Sequence, residues 1–100
     1  MAKTPEGEIK DIVKKSLKSR NIWYIMIVPS TYGRATGISD FQLLYKGHFI
    51  VIETKKRSDK KGPTPNQQDY MDAVECNGGK AFVVRNESDM AIVESYLDSL

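Results

Sequence analysis

The stretch FQLLYKGHFIVIETK, residues 41–55, decides the fold. Two runs rich in apolar residues, 38–44 and 48–55, flank the dipeptide Lys46-Gly47, and a glycine at the second turn position is typical of a β-hairpin. In the second run apolar residues occupy both alternating faces, which indicates a strand covered on both sides. The sequence therefore predicts a hairpin whose second strand is central in a sheet.

Helix signals lie on both sides of this hairpin. Thr4 as N-cap and a proline at the first helical position predict a helix over residues 5–19. The tetrapeptide TPNQ at 64–67 spells a capping box, and it predicts a second helix that ends near Cys76. A third helix is expected to begin at Ser88.

Two further strands complete the predicted order αβββαβα. The continuous apolar run 22–28 predicts a strand covered on both faces, and residues 81–84 predict a short strand between the last two helices. We therefore expect an α/β fold, a small mixed sheet flanked by helices, formed by one domain over residues 1–100.

Length and composition exclude several classes of protein. A chain of 100 residues with 40% hydrophobic and 28% charged residues is typical of one soluble globular domain. The longest apolar run has seven residues, whereas a membrane-spanning helix needs about 20. We expect no membrane span and no signal peptide. The single Cys76 cannot form an internal disulfide, so we expect a cytoplasmic protein.

The charge is distributed unevenly along the chain. Residues 1–61 contain 13 Lys and Arg against 6 Asp and Glu, a net +7, and residues 62–100 contain 2 against 7, a net −5. The densest basic cluster consists of Lys55, Lys56, Arg57, Lys60 and Lys61. A polyanion is a plausible partner for this segment, and a solvated loop after a strand is the alternative.

The hairpin register brings two acidic residues together. If the turn centres on Lys46-Gly47, paired residue numbers sum to 93, and Asp40 lies opposite Glu53. Like charges at paired positions destabilise a sheet, and a divalent cation with oxygen ligands would relieve the repulsion. Lys55 follows Glu53 by two residues in the same predicted strand, so the two side chains project to the same face. Taken alone, Asp40 could equally be an ordinary turn residue.

Two helix residues are candidates for the same site. Glu6 lies within about 50° of the centre of the apolar stripe of the first helix and is aimed at the sheet, although an acidic residue in a first turn also interacts with the helix dipole. Gln67 is in line with Met71 and Val74 and faces inward. The capping box is the alternative explanation for Gln67.

Four motifs, PEGEIK (5–10), GISDF (37–41), IETK (52–55) and TPNQ (64–67), follow one another along most of the chain. They resemble the motifs of the PD-(D/E)xK nuclease superfamily, and more closely those of its virus-type replication-repair nuclease (VRR-NUC) family. Glu6 and Gln67 match the family's helix glutamate and its S-P-x-Q-like motif. Ser39 stands where the family usually has proline; proline ligates nothing, so this departure concerns the entry into the strand.

The resemblance implies a set of site residues. Asp40 and Glu53 would be metal ligands, the Thr54 carbonyl a further ligand, and Lys55 the residue that orients or activates water. The cofactor would be Mg²⁺ or Mn²⁺. The resemblance also implies a location in the cytoplasm of a bacterium or of a phage-infected host cell. The remaining contacts to DNA are expected from the basic segment Lys56, Arg57, Lys60 and Lys61, and from Tyr32 and Arg34 in the loop before the hairpin.

The expected activity is hydrolysis of phosphodiester bonds in branched DNA by a metal-dependent endonuclease. Free-standing members of the family resemble homodimers that act on four-way junctions, and we expect this chain to be free-standing. Three alternatives stay open at this point: a non-catalytic DNA-binding module, a structure-specific or nicking nuclease that acts on flaps or forks, and a nuclease directed at RNA.

Overall fold

A computed structural model describes residues 4–27 and 37–100. The elements in chain order are α1 (Pro5–Ser19), β1 (Tyr24–Met26), β2 (Phe41–Tyr45), β3 (His48–Thr54), α2 (Pro65–Cys76), β4 (Lys80–Val84) and α3 (Glu87–Asp98). This is the predicted order αβββαβα. The proposed DNA contacts Tyr32 and Arg34 lie outside the described residues.

The four strands form one mixed sheet in the order β1-β2-β3-β4. β2 is antiparallel to both β1 and β3, whereas β3 and β4 are parallel. Pairing runs from Phe41 opposite Ile52 to Tyr45 opposite His48, so paired numbers sum to 93 as predicted. Lys46 and Gly47 both have positive φ, 51° and 82°, as a two-residue turn matched to the twist of a hairpin requires.

Two helices cover one face of the sheet and the third covers part of the other face. The larger core cluster joins α1 and α3 to β2 and β3; it includes Ile9, Phe41, Ile50 and Val93, all without exposed surface. A smaller cluster places Met71 and Val74 of α2 on Val51 of β3. The predicted α/β fold with a mixed sheet flanked by helices is therefore confirmed.

The first strand differs from its prediction. β1 has three residues and lies at the edge of the sheet, and Trp23 and Ile25 are 61% and 44% exposed. Within the described part of the chain, the cluster beneath α2 draws its strand residues from β3 and β4 only. The prediction of two covered faces was wrong for β1, because an apolar run does not reveal how far the covering helix extends.

The helix starts follow the predicted capping signals with one shift. The Thr4 hydroxyl accepts a hydrogen bond from Gly7 N at 2.9 Å, and the capping box of Thr64 with Gln67 is present. α3 begins at Glu87 and not at Ser88, because Asn86 caps it by accepting from Asp89 N at 2.8 Å. Among the described helices none is both long and apolar enough to cross a membrane.

Candidate metal centre

Three carboxylates from different elements converge at one end of the sheet. Oxygen atoms of Glu6, Asp40 and Glu53 all lie within 4.8 Å of one another. Glu6 is in the first turn of α1, Asp40 directly precedes β2, and Glu53 is near the end of β3. The register of the hairpin, extended by one residue, places Asp40 beside Glu53.

Asp40 is held in place by the strand opposite. Its Oδ2 accepts hydrogen bonds from Thr54 N at 2.8 Å and from the Thr54 hydroxyl at 2.7 Å. Thr54 is fully buried, so this anchor is rigid. The carbonyl of Asp40 accepts from Ile27 N at 2.7 Å, which ties its backbone to the end of β1.

Glu53 is a buried carboxylate with incomplete hydrogen bonding. It is 2% exposed, and its Oε1 is buried without a hydrogen-bond partner. Its Oε2 accepts from Gln67 Nε2 at 3.3 Å and lies 4.0 Å from Lys55 Nζ. Burial, followed by the charge of Asp40, raises the pKa of Glu53 to about 8.

These features fit a divalent cation. An orphaned buried carboxylate oxygen is costly, and a cation beside it would supply the missing partner and offset the repulsion between the acidic groups. Carboxylate oxygens that all lie within 4.8 Å of one another are close enough to converge on one ion. The donors are all oxygens, as hard cations prefer.

Gln67 serves both purposes that the sequence suggests. Its Oε1 accepts from Thr64 N at 2.9 Å, which completes the capping box, and from Lys55 Nζ at 2.8 Å. Its Nε2 donates to Glu53 Oε2. The first turn of α2 therefore positions the Lys55 ammonium beside the acidic cluster.

Gly37 allows two parts of the site to approach closely. Its φ is +85°, and a Cβ atom there would lie 2.4 Å from the carbonyl oxygen of Asn66. Only glycine fits both the backbone conformation and the space. The segment that leads to Asp40 thus packs directly against the first turn of α2, which carries Gln67.

The basic segment after β3 is an ordered turn. Asp59 Oδ1 accepts from Lys61 N at 2.8 Å and from Gly62 N at 2.9 Å, and these bonds lower the pKa of Asp59. Lys56, Lys60 and Lys61 are exposed. The three lysines are therefore exposed on a turn that Asp59 closes with two hydrogen bonds from the backbone.

Arg57 differs from the lysines around it. Its guanidinium forms ion pairs with Glu8 Oε1 at 2.8 Å and with Glu87 Oε1 at 2.7 Å. Arg57 lowers the pKa of Glu87 to about 2. The side chain thus links the loop to the first turns of α1 and α3, a contact that the sequence alone does not reveal.

Lys10 also belongs to the surroundings of the site. Its Nζ lies 3.7 Å from Asp40 Oδ1, and its side chain is 23% exposed. The sequence does contain a signal for this residue, because Lys10 follows Glu6 by four positions and so shares its helix face. From the sequence, Lys10 is only the last residue of the PEGEIK motif, with no role assigned to it at the site.

Comparison with known proteins places this geometry in a known fold. No protein-family model and no curated protein matches the chain. A solved structure described as a VRR_NUC domain superposes with a TM-score of 0.74 at 21% sequence identity, covering 93% of this chain and 98% of that one. The chain has the VRR-NUC fold. The resemblance of its four motifs is thereby matched by its three-dimensional architecture.

The VRR-NUC fold explains how distant motifs meet. α1 supplies Glu6, the hairpin supplies Asp40 and Glu53, and α2 supplies Gln67, so each of the four sequence motifs places a side chain at the same end of the sheet. An acidic cluster with a lysine at its edge can bind a cation and place an ammonium group next to it.

Proposed function

We propose that this protein is a divalent-metal-dependent nuclease that hydrolyses phosphodiester bonds in DNA. The observation that carries the proposal is the convergence of Glu6, Asp40 and Glu53, with Lys55 at its edge, on a VRR-NUC fold. The buried Glu53 Oε1 has no hydrogen-bond partner. A bound cation would supply that partner, whereas a purely structural role for the acidic cluster gives no reason for the unpaired oxygen.

Asp40 and Glu53, with the Thr54 carbonyl, are the proposed ligands of Mg²⁺ or Mn²⁺, and Glu6 lies close enough to support them. A bound ion would polarise the phosphoryl oxygen and lower the pKa of a water molecule. Lys55 is held by Gln67 at 2.8 Å, so its ammonium is positioned to orient the attacking water and to stabilise developing negative charge.

The basic loop is the proposed binding surface for the DNA backbone. Lys56, Lys60 and Lys61 are exposed and directly follow the lysine at the acidic cluster, and such side chains contact phosphates without reading sequence. Arg57 is proposed to contact DNA as well, from its position between Glu8 and Glu87. Tyr32 and Arg34, which lie outside the described residues, remain proposed contacts.

Four-way junctions are the proposed substrate, cut by a homodimer. Such a junction has approximate two-fold symmetry, and two symmetric cuts need two sites related by a two-fold axis. Leu44 pairs with Phe49, and Ile25 pairs with Gln42. Gln42 and Leu44 are two residues apart in β2 and project to the same face, so Ile25, Leu44 and Phe49 share one face of the sheet. They are 52%, 41% and 44% exposed, and a second copy would cover them.

A cleavage panel tests the proposal. Purified protein is incubated with Mg²⁺ or Mn²⁺ on linear, flap, fork and four-way-junction DNA, with an RNA duplex in parallel. We expect the wild-type protein to cleave branched DNA and Glu53→Gln to abolish this cleavage. Glu75 is an exposed carboxylate paired with Lys80, so the control variant Glu75→Gln should cleave as the wild type does.

The same panel separates the alternatives. DNA binding without cleavage in either metal would identify a non-catalytic binding module, and equal cleavage of flaps and four-way junctions would identify a general branched-DNA nuclease. Light scattering gives the oligomeric state independently: a mass near 11.3 kDa at micromolar concentration would contradict the dimer.

A further inference from the structure

We propose that Lys10 is a metal-dependent phosphate contact: it neutralises Asp40 in the metal-free protein and is released to the DNA backbone when a divalent ion binds. This inference rests on the proposed function, because it concerns the same acidic cluster. It assigns a substrate-binding role to a residue that is not among the proposed site residues Glu6, Asp40, Glu53, Lys55 and Gln67.

The two oxygens of Asp40 have different surroundings. Oδ2 is anchored by two hydrogen bonds from Thr54, at 2.8 and 2.7 Å. Oδ1 faces Lys10 Nζ at 3.7 Å. The anchored oxygen orients the carboxylate, so the oxygen on the Lys10 side is available to a cation.

An ammonium and a divalent ion are competitors for that oxygen. At 4 Å two unit charges interact by about 4 kcal/mol at an effective dielectric constant of 20, and the repulsion from a divalent ion is greater. The Lys10 side chain is 23% exposed, which leaves it room to rotate toward solvent. Binding of the ion at Asp40 therefore drives Lys10 outward.

The released ammonium would meet the phosphate that is being cleaved or its neighbour. The proposed substrate must bring a phosphoryl oxygen to the ion held by Asp40 and Glu53. Lys10 projects from the same helix face as Glu6, which is a member of the acidic cluster, so it approaches the cluster from the α1 side. Lys55 approaches it from β3, where Gln67 holds it.

The experiment compares wild-type protein with Lys10→Met and Lys10→Arg, with Lys18→Met as control. Lys18 is exposed and lies in the last turn of α1. Mn²⁺ affinity of the DNA-free protein is measured by calorimetry. Duplex DNA affinity is then measured against salt concentration, once in EDTA and once in Ca²⁺, with a gel to verify that the DNA is intact.

Two results are expected together. Lys10→Met should bind Mn²⁺ roughly three- to tenfold more tightly than wild type, because the competing charge is gone. In Ca²⁺ its slope of log K against log[salt] should be smaller by about 0.9, whereas in EDTA the two slopes should agree. Lys10→Arg should restore the wild-type slope, and Lys18→Met should match wild type throughout.

Other outcomes overturn the inference. Unchanged Mn²⁺ affinity in Lys10→Met would exclude competition at Asp40. A slope difference that is missing in Ca²⁺, or equally large in EDTA, would exclude the metal-dependent release. If the wild-type protein binds no Mn²⁺, the proposed function itself fails. If the wild type and Lys10→Met bind Mn²⁺ with the same affinity, only the inference about Lys10 fails.

Discussion

Gln67 Nε2 donates to Glu53 Oε2 at 3.3 Å, so the residue that completes the capping box of α2 also contacts the buried carboxylate of the acidic cluster. One side chain thus connects the stability of a helix with the arrangement of the site. The two contributions are separable, because Thr64 participates in the cap without touching the cluster.

Gln67→Ala should reduce both stability and cleavage, whereas Thr64→Ala should reduce mainly stability. Loss of an N-cap costs about 1 kcal/mol, and Gln67→Ala additionally frees the Lys55 ammonium that Gln67 Oε1 holds at 2.8 Å. Urea denaturation and single-turnover cleavage measure the two effects. Equal cleavage rates in the two variants would show that Gln67 acts only as a helix cap.

Metal-free protein should lose stability as pH rises toward 8 and above. The pKa of Glu53 is about 8 in the folded protein, against 4.5 for the ordinary group. A raised folded-state pKa means that the stabilising contribution is fully present below pH 4.5 and is lost as pH rises through 8. The change is a few kcal/mol at most, and urea denaturation in EDTA at a series of pH values measures it.

Glu53→Gln is the control for this pH dependence. An amide at this position cannot ionise, so the part of the slope between pH 4.5 and 8 that Glu53 causes should disappear. Added Mn²⁺ should likewise stabilise the wild type most at high pH, where Glu53 is ionised. If Glu53→Gln keeps the same pH dependence of stability, groups other than Glu53 cause it.

Gly37→Ala should be more damaging than Gly47→Ala. Both glycines have positive φ, +85° and +82°. A Cβ atom at Gly37 would lie 2.4 Å from Asn66 O, whereas a Cβ atom at Gly47 would have no neighbour within 4 Å. The backbone conformation costs about 1–2 kcal/mol in both variants, and forced displacement adds about 1–3 kcal/mol at Gly37. Thermal denaturation of both variants, with Mn²⁺ affinity as a second readout, checks the difference.

The lysines of the basic loop should act through their charge on the phosphates of DNA. A Lys56→Ala, Lys60→Ala, Lys61→Ala triple variant should lower the salt slope of duplex binding by about 0.9 for each phosphate that is no longer neutralised. Titrations of duplex DNA at a series of salt concentrations measure this slope. Unchanged affinity and slope would make this segment a solvated loop.

Arg57→Ala distinguishes the structural role of Arg57 from its proposed contact with DNA. Loss of the ion pairs with Glu8 and Glu87 should lower the melting temperature modestly, because exposed ion pairs contribute little. If Arg57 also contacts a phosphate, the salt slope should fall as it does for the lysines. A lower melting temperature with the wild-type slope would leave Arg57 as an anchor of the loop alone.

The sequence predicts most of the fold because its signals are local. Thr4 and Thr64 mark helix starts, Lys46-Gly47 sets the hairpin, and the register follows from the turn by counting. The exposure of β1 depends on how far α2 reaches across the sheet, which is a tertiary property. No pattern within residues 22–28 encodes it.

The candidate site divides in the same way. Asp40 and Glu53 can be paired from the hairpin register, and Glu6 can be placed on the correct helix face from its spacing. The ion pairs of Arg57 with Glu8 and Glu87 join three segments distant in sequence, so no spacing rule predicts them. Lys10 lies between these cases, since its spacing from Glu6 is visible but its distance from Asp40 depends on the packing of α1 on the sheet.

The short edge strand β1 lies between an exposed apolar surface and the backbone of the acidic cluster. Ile25 in the strand and Trp23 directly before it are exposed to solvent. Ile27, the residue that follows the strand, donates a backbone hydrogen bond to the carbonyl of Asp40. Only three residues of strand pairing connect the two. A partner that bound at this edge and displaced β1 would therefore also move the backbone of Asp40, a proposed metal ligand.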